Sequence, residues 1–211
     1  MNTTHTIEEF TQALLKPSMY DALAISEKYI NEDNDIKKFW ENIIVPSMYI
    51  IGNKWANAEI TVGEEHTATS ICQRVMAEYY EKILMHSEQN KEKIIVTISP
   101  NELHQVGARM VADLLELNGY DVEFLNSSCT IETILDKINN QNIRNVIIST
   151  TLVSSLNSTE NLITNIRKNS TEKVKIYVGG QAYTSDKSIE TNADVCISNV
   201  DELLEHLKEN K

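Results

Sequence analysis

The chain has 211 residues, 31 acidic against 19 basic, for a formal net charge of −12. That balance argues against a nucleic-acid surface, which needs clustered Lys and Arg, and points to an acidic, solvated exterior. With 41% hydrophobic residues the chain can bury a core as one large domain or two small ones.

No apolar run reaches membrane-spanning length. The opening Met1-Asn2-Thr3-Thr4-His5 has neither the basic nor the apolar part of a signal peptide. A soluble cytoplasmic protein with no membrane contact is therefore expected. Cys72, Cys129 and Cys196 lie far apart, which gives neither a disulfide framework nor a zinc knuckle; they are expected reduced, semi-buried or in loops.

The first half reads as helical. Glu8 to Leu15 is a first helical run, broken near Pro17, and Tyr20 to Asn31 is a second. Over Ile36 to Ile51, Phe39, Ile43, Ile44, Met48 and Ile51 recur at helical spacing, with Pro46 expected to kink or divide the helix. Gly52 to Ile60 reads as a turn. Thr61 and Glu64 form a capping box that opens a long helix to about His86, in which Met76, Tyr79 and Tyr80 read as core. Four helices with short connections imply an antiparallel four-helix bundle over residues 1–88.

After a polar linker, Ser87 to Lys93, the pattern changes. Ile94–Ile98, Val122–Leu125, Val146–Ile148, Val174–Val178 and Val195–Ile197 read as strands. Helical patterns lie between them at Ala108–Asn118, Ile131–Asn139, Thr159–Asn169 and near residues 185–191, and a last helix runs from Asp201 to Lys208. Alternating strands and helices predict a five-stranded parallel sheet covered on both faces, a flavodoxin- or Rossmann-like α/β domain over residues 92–211.

In such a sheet the loops after strands one, three and four meet at one edge, where ligands bind. The first loop carries Glu102-Leu103-His104-Gln105-Val106-Gly107. A carboxylate two residues before the imidazole can hold its second nitrogen and fix its tautomer, and Gly107 lets the backbone pass close to something large. The loop after strand three is rich in hydroxyls: Ser149, Thr150, Thr151 and, past Leu152, Ser154 and Ser155. The loop after strand four opens with Gly179-Gly180, which would let a flat ligand approach the backbone. No phosphate-binding glycine loop, dinucleotide fingerprint, receiver-type acidic cluster or serine nucleophile elbow is present. A bulky, flat, metal-containing ligand held between the two halves is the reading that remains.

These residues resemble the cobalamin-binding module of methionine synthase and corrinoid proteins. That family carries Asp-x-His-x-x-Gly, then Ser-x-Leu, then Gly-Gly. Here the elements read Glu102 to Gly107, Thr150-Thr151-Leu152 after Ser149, and Gly179-Gly180, with 26 residues between Leu152 and Gly179. The resemblance implies that His104 is the lower axial cobalt ligand and that the nucleotide tail passes Thr150, Leu152, Gly179 and Gly180. In the helical half, Trp55 followed by nine residues and then Glu65-His66 resembles light-sensing adenosylcobalamin proteins of the CarH/LitR type. There the tryptophan covers the adenosyl face and the Glu and His lie nearby.

Three departures stand out. The chain shows no basic DNA-binding segment. Ala56 follows the tryptophan where relatives place a cobalt-capturing histidine. Leu125-Asn126-Ser127-Ser128-Cys129 replaces the usual Leu-Gly after strand two and would reshape the corrin edge.

The expected function is a non-enzymatic light sensor in which photolysis of adenosylcobalamin shifts the helical cap and alters a homo-oligomer or an interface with an unidentified protein partner. The alternatives are a corrinoid carrier that shuttles methyl groups between methyltransferases, a photoreceptor that also binds biliverdin, and a plain ligand-binding or storage module with no light response; another cobalamin form or biliverdin is the alternative cofactor to adenosylcobalamin.

Overall fold

The computed structural model describes residues 2–86, 88, 90–126, 128–185 and 188–209. The chain divides into two compact units, Met1–His86 and Ser87–Lys211. No described helix is long and apolar enough to cross a membrane.

The first unit is helical: α1 (Thr3–Leu15), α2 (Met19–Tyr29), α3 (Asp33–Phe39), α4 (Val45–Ala56), α5 (Val62–Glu78) and α6 (Tyr80–His86). Side-chain oxygens start several of them, Asn2 for α1 and Ser18 for α2. A π turn over Trp40–Ile44 joins α3 to α4, with the Val45 N–H donating to the Trp40 carbonyl. Proline has no N–H and its ring crowds the carbonyl four residues back. Widening the helix by one residue just before Pro46 lets it continue where the sequence predicts a kink or a division.

Four further expectations are corrected in this unit. The predicted turn over 52–60 begins late, because α4 runs to Ala56 before the left-handed Ala58 ends it. Ser47 and Ile51 are fully buried on α4, and their packing outweighs the cost of about 1 kcal/mol for Gly52 inside a helix. The long helix after Thr61 breaks at Tyr79, whose backbone leaves the helical ladder while its ring packs edge-on to Trp40 at 5.8 Å. Its hydroxyl meets Ser26 Oγ at 2.9 Å. Met76 and Tyr79 are core as expected, but Tyr80 is 36% exposed. Cys72 is fully buried in mid-helix rather than semi-buried, and burial pushes its thiol up to about 12.

The second unit alternates β1 (Lys93–Ile98), α7 (Val106–Leu117), β2 (Asp121–Leu125), α8 (Ile131–Gln141), β3 (Asn145–Ser149), α9 (Leu156–Asn169), β4 (Lys175–Gly179), α10 (Gln181–Ser185), β5 (Val195–Cys196) and α11 (Val200–Glu209). All strand pairs are parallel, in the order β2-β1-β3-β4-β5. This is the flavodoxin-like order, and its reversal between β1 and β3 opens a crevice at their carboxyl ends. Ile95, Val146, Ile148, Ile176 and Val178 pack on one face against Ile134 and Ile138 of α8 and Leu162, Ile163 and Ile166 of α9. Continuous apolar strands are what a doubly covered parallel sheet requires.

The short helix expected near 185–191 lies earlier, at Gln181–Ser185, because Ala182 and Tyr183 are buried and anchor it directly behind the glycine pair. Residues 186 and 187 lie outside the described residues, as do Ser87 and Gln89 of the expected linker; Lys93 at its end already belongs to β1.

Candidate functional site

The loop after β1 enters through Ser99, whose N–H donates to the Ser149 carbonyl at 2.9 Å and whose hydroxyl donates to the Ser155 carbonyl at 3.1 Å. It turns at Asn101, which holds a left-handed φ of 65°. This brings Glu102 inward, where it is 2% exposed. Glu102 Oε1 accepts the backbone N–H groups of Thr151 and Leu152, each at 3.0 Å. A carboxylate buried without partners would be costly, and these two donors supply much of what water gave it. Glu102 therefore ties the β1 loop to the β3 loop.

The same Oε1 lies 3.3 Å from Nδ1 of His104. Nδ1 is buried, yet the side chain as a whole is 36% exposed, so the exposure belongs to the rest of the ring. An anionic neighbour favours the proton on Nδ1 and leaves the Nε2 lone pair outward, the form in which imidazole binds metals.

The remaining predicted residues of this edge divide by role. Leu152 is 36% exposed beside Glu102, and Ser149 is half-buried at the end of β3. Thr150 is fully buried and its hydroxyl pairs with Thr159 Oγ1 at 2.8 Å, which holds the loop in place.

The glycine pair is likewise tied into the fold. A Cβ on Gly180 would sit 2.5 Å from the Thr150 carbonyl oxygen, at a φ of 101°, and one on Gly179 would sit 3.0 Å from the Ile197 side chain. The Thr150 N–H donates to the Gly179 carbonyl, and the Ala182 N–H to the Thr150 carbonyl. Close approach within the protein already demands both glycines. Gly107 differs: nothing lies within 4 Å of where its Cβ would be, so the fold itself leaves space there at the start of α7.

Trp55, Glu65 and His66 belong to the helical unit. Trp55 sits in the last turn of α4 and is 39% exposed. Glu65 is in the first turn of α5, accepts from the Thr69 hydroxyl at 2.8 Å, and lies 3.6 Å from His66 Nε2. The capping box that positions both forms as expected, with the Glu64 N–H donating to Thr61 Oγ1 and the Thr61 N–H donating to Glu64.

The sequence reading passed over three features of the α/β unit. Leu103 and Val153 are 71% and 62% exposed, flanking His104 and Leu152 with bare apolar surface. The signal was present as Leu103 alone, and as Val153 next to Leu152, inside otherwise polar loops. The third is a cavity beside the loop after β2, which depends on how two helices diverge and has no sequence signature.

A flavodoxin-like sheet that presents an imidazole at its crevice, backed by a buried carboxylate and an open glycine, defines a class of α/β proteins built to hold a large ligand through a histidine. The matching family models give that class its name. Both are described as B12 binding domains; one matches residues 92–208 and the other, a helical type, residues 6–80. The chain belongs to the B12-binding domain family, and its cofactor is a corrinoid.

Among similar proteins, monomethylamine corrinoid protein 2 of Methanosarcina mazei is 24% identical over 209 residues, covering 96% of this chain and 95% of that one. Monomethylamine corrinoid protein 1 of the same organism is 28% identical over 164 residues, covering 74% and 75%. The solved structure of the Methanosarcina barkeri monomethylamine corrinoid protein superposes with a TM-score of 0.81 at 17% identity, covering 99% of both chains, and shows the shared fold.

Proposed function

We propose that this protein carries a corrinoid on His104 and shuttles methyl groups between methyltransferases. The observation that carries the ligation is the His104–Glu102 arrangement: a buried carboxylate on Nδ1 and a partly exposed ring edge at the sheet crevice. The chemistry of the donor set fits, since a neutral imidazole is a sound cobalt ligand and the space at Gly107 admits bulk where a side chain would otherwise stand. When bound, the corrinoid supplies a cobalt centre able to accept and release a methyl group.

The chain's own residues set that centre up. Glu102 orients the ring and keeps its proton on the inner nitrogen. Thr150, Gly179 and Gly180 hold the loops of β3 and β4 in register beneath it. Leu152, Leu103 and Val153 offer an apolar rim beside His104 that would exclude water from a bound corrinoid. Ser149 and Gly107 are assigned to the same cofactor within the α/β unit; Trp55, Glu65 and His66 stay candidate corrinoid contacts of the helical unit.

The light-sensor expectation gives way here to its own alternative. The similar proteins are named monomethylamine corrinoid proteins, which supports a carrier over a photoreceptor. Either adenosylcobalamin or a bilin would be a departure from that role.

The test is transfer in the dark. Protein loaded with radiolabelled methylcobalamin and freed of unbound cofactor is mixed with a corrinoid-dependent thiol methyltransferase and a thiol. Loss of label from the protein to the thiol without illumination is expected. A label that stays until green light releases it would contradict the carrier reading.

A further inference from the structure

The second unit contains a cavity of about 400 Å³, bounded by the end of β1, the loop after β2, α8 and α9. Nothing above assigns it. Its floor is aliphatic: Ile98, Ile134 and Leu162 are each at most 5% exposed. Its walls hold amides and hydroxyls, and among the described residues none that lines it is charged, in a chain where 24% of residues are.

Some of these polar groups are committed to neighbours and others are not. Asn126 Oδ1 accepts from the Ser128 N–H at 3.1 Å, and Asn165 Nδ2 donates to the Asn161 carbonyl. The side-chain amides of Asn101 and Asn161 have no partner among the described residues. Asn101 also holds the left-handed turn that leads to His104 three residues later; three residues of extended chain span at most about 10 Å.

We infer that this cavity receives the uncharged amide arms at the rim of the corrinoid ring, with Asn101, Asn126 and Asn161 as their partners. The inference rests on the reading that His104 holds a corrinoid. A carboxamide presents one acceptor and two donors, and an asparagine amide presents the complement. An aliphatic floor suits the methylenes of such an arm. A charged arm would lose its water with no counter-charge to meet it. At about 30 Å³ per water the cavity holds on the order of a dozen waters, so an arm of a few heavy atoms enters with room to spare. The loop after β2, where the family's usual Leu-Gly is replaced by Leu125-Asn126, supplies one of the three amides.

The test pairs the wild type with the double variant Asn101→Gly, Asn161→Ala. Glycine keeps the left-handed backbone while deleting the amide, and alanine suits an exposed helix position. The probe is cobalamin, read two ways: equilibrium affinity, and the absorption spectrum of histidine ligation at saturation. The double variant is expected to bind about tenfold more weakly yet reach the same histidine-ligated spectrum. Cobalamin monocarboxylates, in which one arm is hydrolysed, add a charge test. One positional isomer is expected to lose affinity for the wild type and regain it with Asn161→Lys. Unchanged affinity of the double variant, with histidine ligation intact, overturns the subsite. Absence of histidine ligation in the wild type overturns the His104 reading, and the subsite with it.

Discussion

Glu102 does two jobs with one carboxylate: it satisfies the Thr151 and Leu152 N–H groups and it faces Nδ1 of His104. Glu102→Gln keeps a carbonyl acceptor but loses the charge, and it should weaken corrinoid affinity about 10-fold or more, as loss of a ligand's orienting partner does. Titration of apoprotein with cobalamin measures this; an unchanged affinity would show that the carboxylate is only a loop staple. Gly180→Ala places a methyl 2.5 Å from the Thr150 carbonyl oxygen on a left-handed backbone, so it should lower stability by about 1–3 kcal/mol, seen as a lower melting temperature. The sequence showed His104, Glu102 and the glycine pair as chemistry-bearing residues. It could not show that Gly179 and Gly180 answer to Ile197 and Thr150, because those close approaches arise between strands distant in the chain.

Helix starts and strand runs were legible because their signals are local. The Thr61–Glu64 capping box is one such signal, and Thr61→Ala should cost the helical unit about 1 kcal/mol, checked by urea unfolding. The break at Tyr79, the π turn before Pro46 and the early α10 were not legible, since each is decided by what a side chain packs against: Tyr79 on Trp40, and Ala182 and Tyr183 in the core. Between β4 and β5, Asp194 accepts the Ile176 N–H at 2.7 Å and pairs with Arg167 at 2.9 Å. Burial alone would raise its pKa, but the Ile176 N–H and the Arg167 guanidinium outweigh it and hold the carboxyl below its ordinary value. Stability from this group is therefore fully present above the unfolded carboxylate range, near 3.9, and is lost as pH falls through the folded value. Asp194→Asn should cost about 1–2 kcal/mol near neutrality, with the difference from wild type shrinking below about pH 4 in acid-unfolding curves.

At the scale of the molecule, the five-stranded parallel sheet was legible because strand runs alternate with helical patterns after residue 92. The choice between carrier and sensor was not, because a tryptophan and a Glu-His pair at a fixed spacing do not say which chemistry the bound cofactor performs. What both readings share is cobalt on His104, and that is the point to measure first. Apoprotein uniformly labelled with ¹⁵N, loaded with cobalamin and reduced to cobalt(II), should show the axial nitrogen splitting by electron paramagnetic resonance as a doublet. Unlabelled protein should show a triplet, and His104→Ala should show neither protein signature. A triplet that persists in the labelled protein would mean that the axial nitrogen belongs to the cofactor's own base, and His104 would not be the ligand.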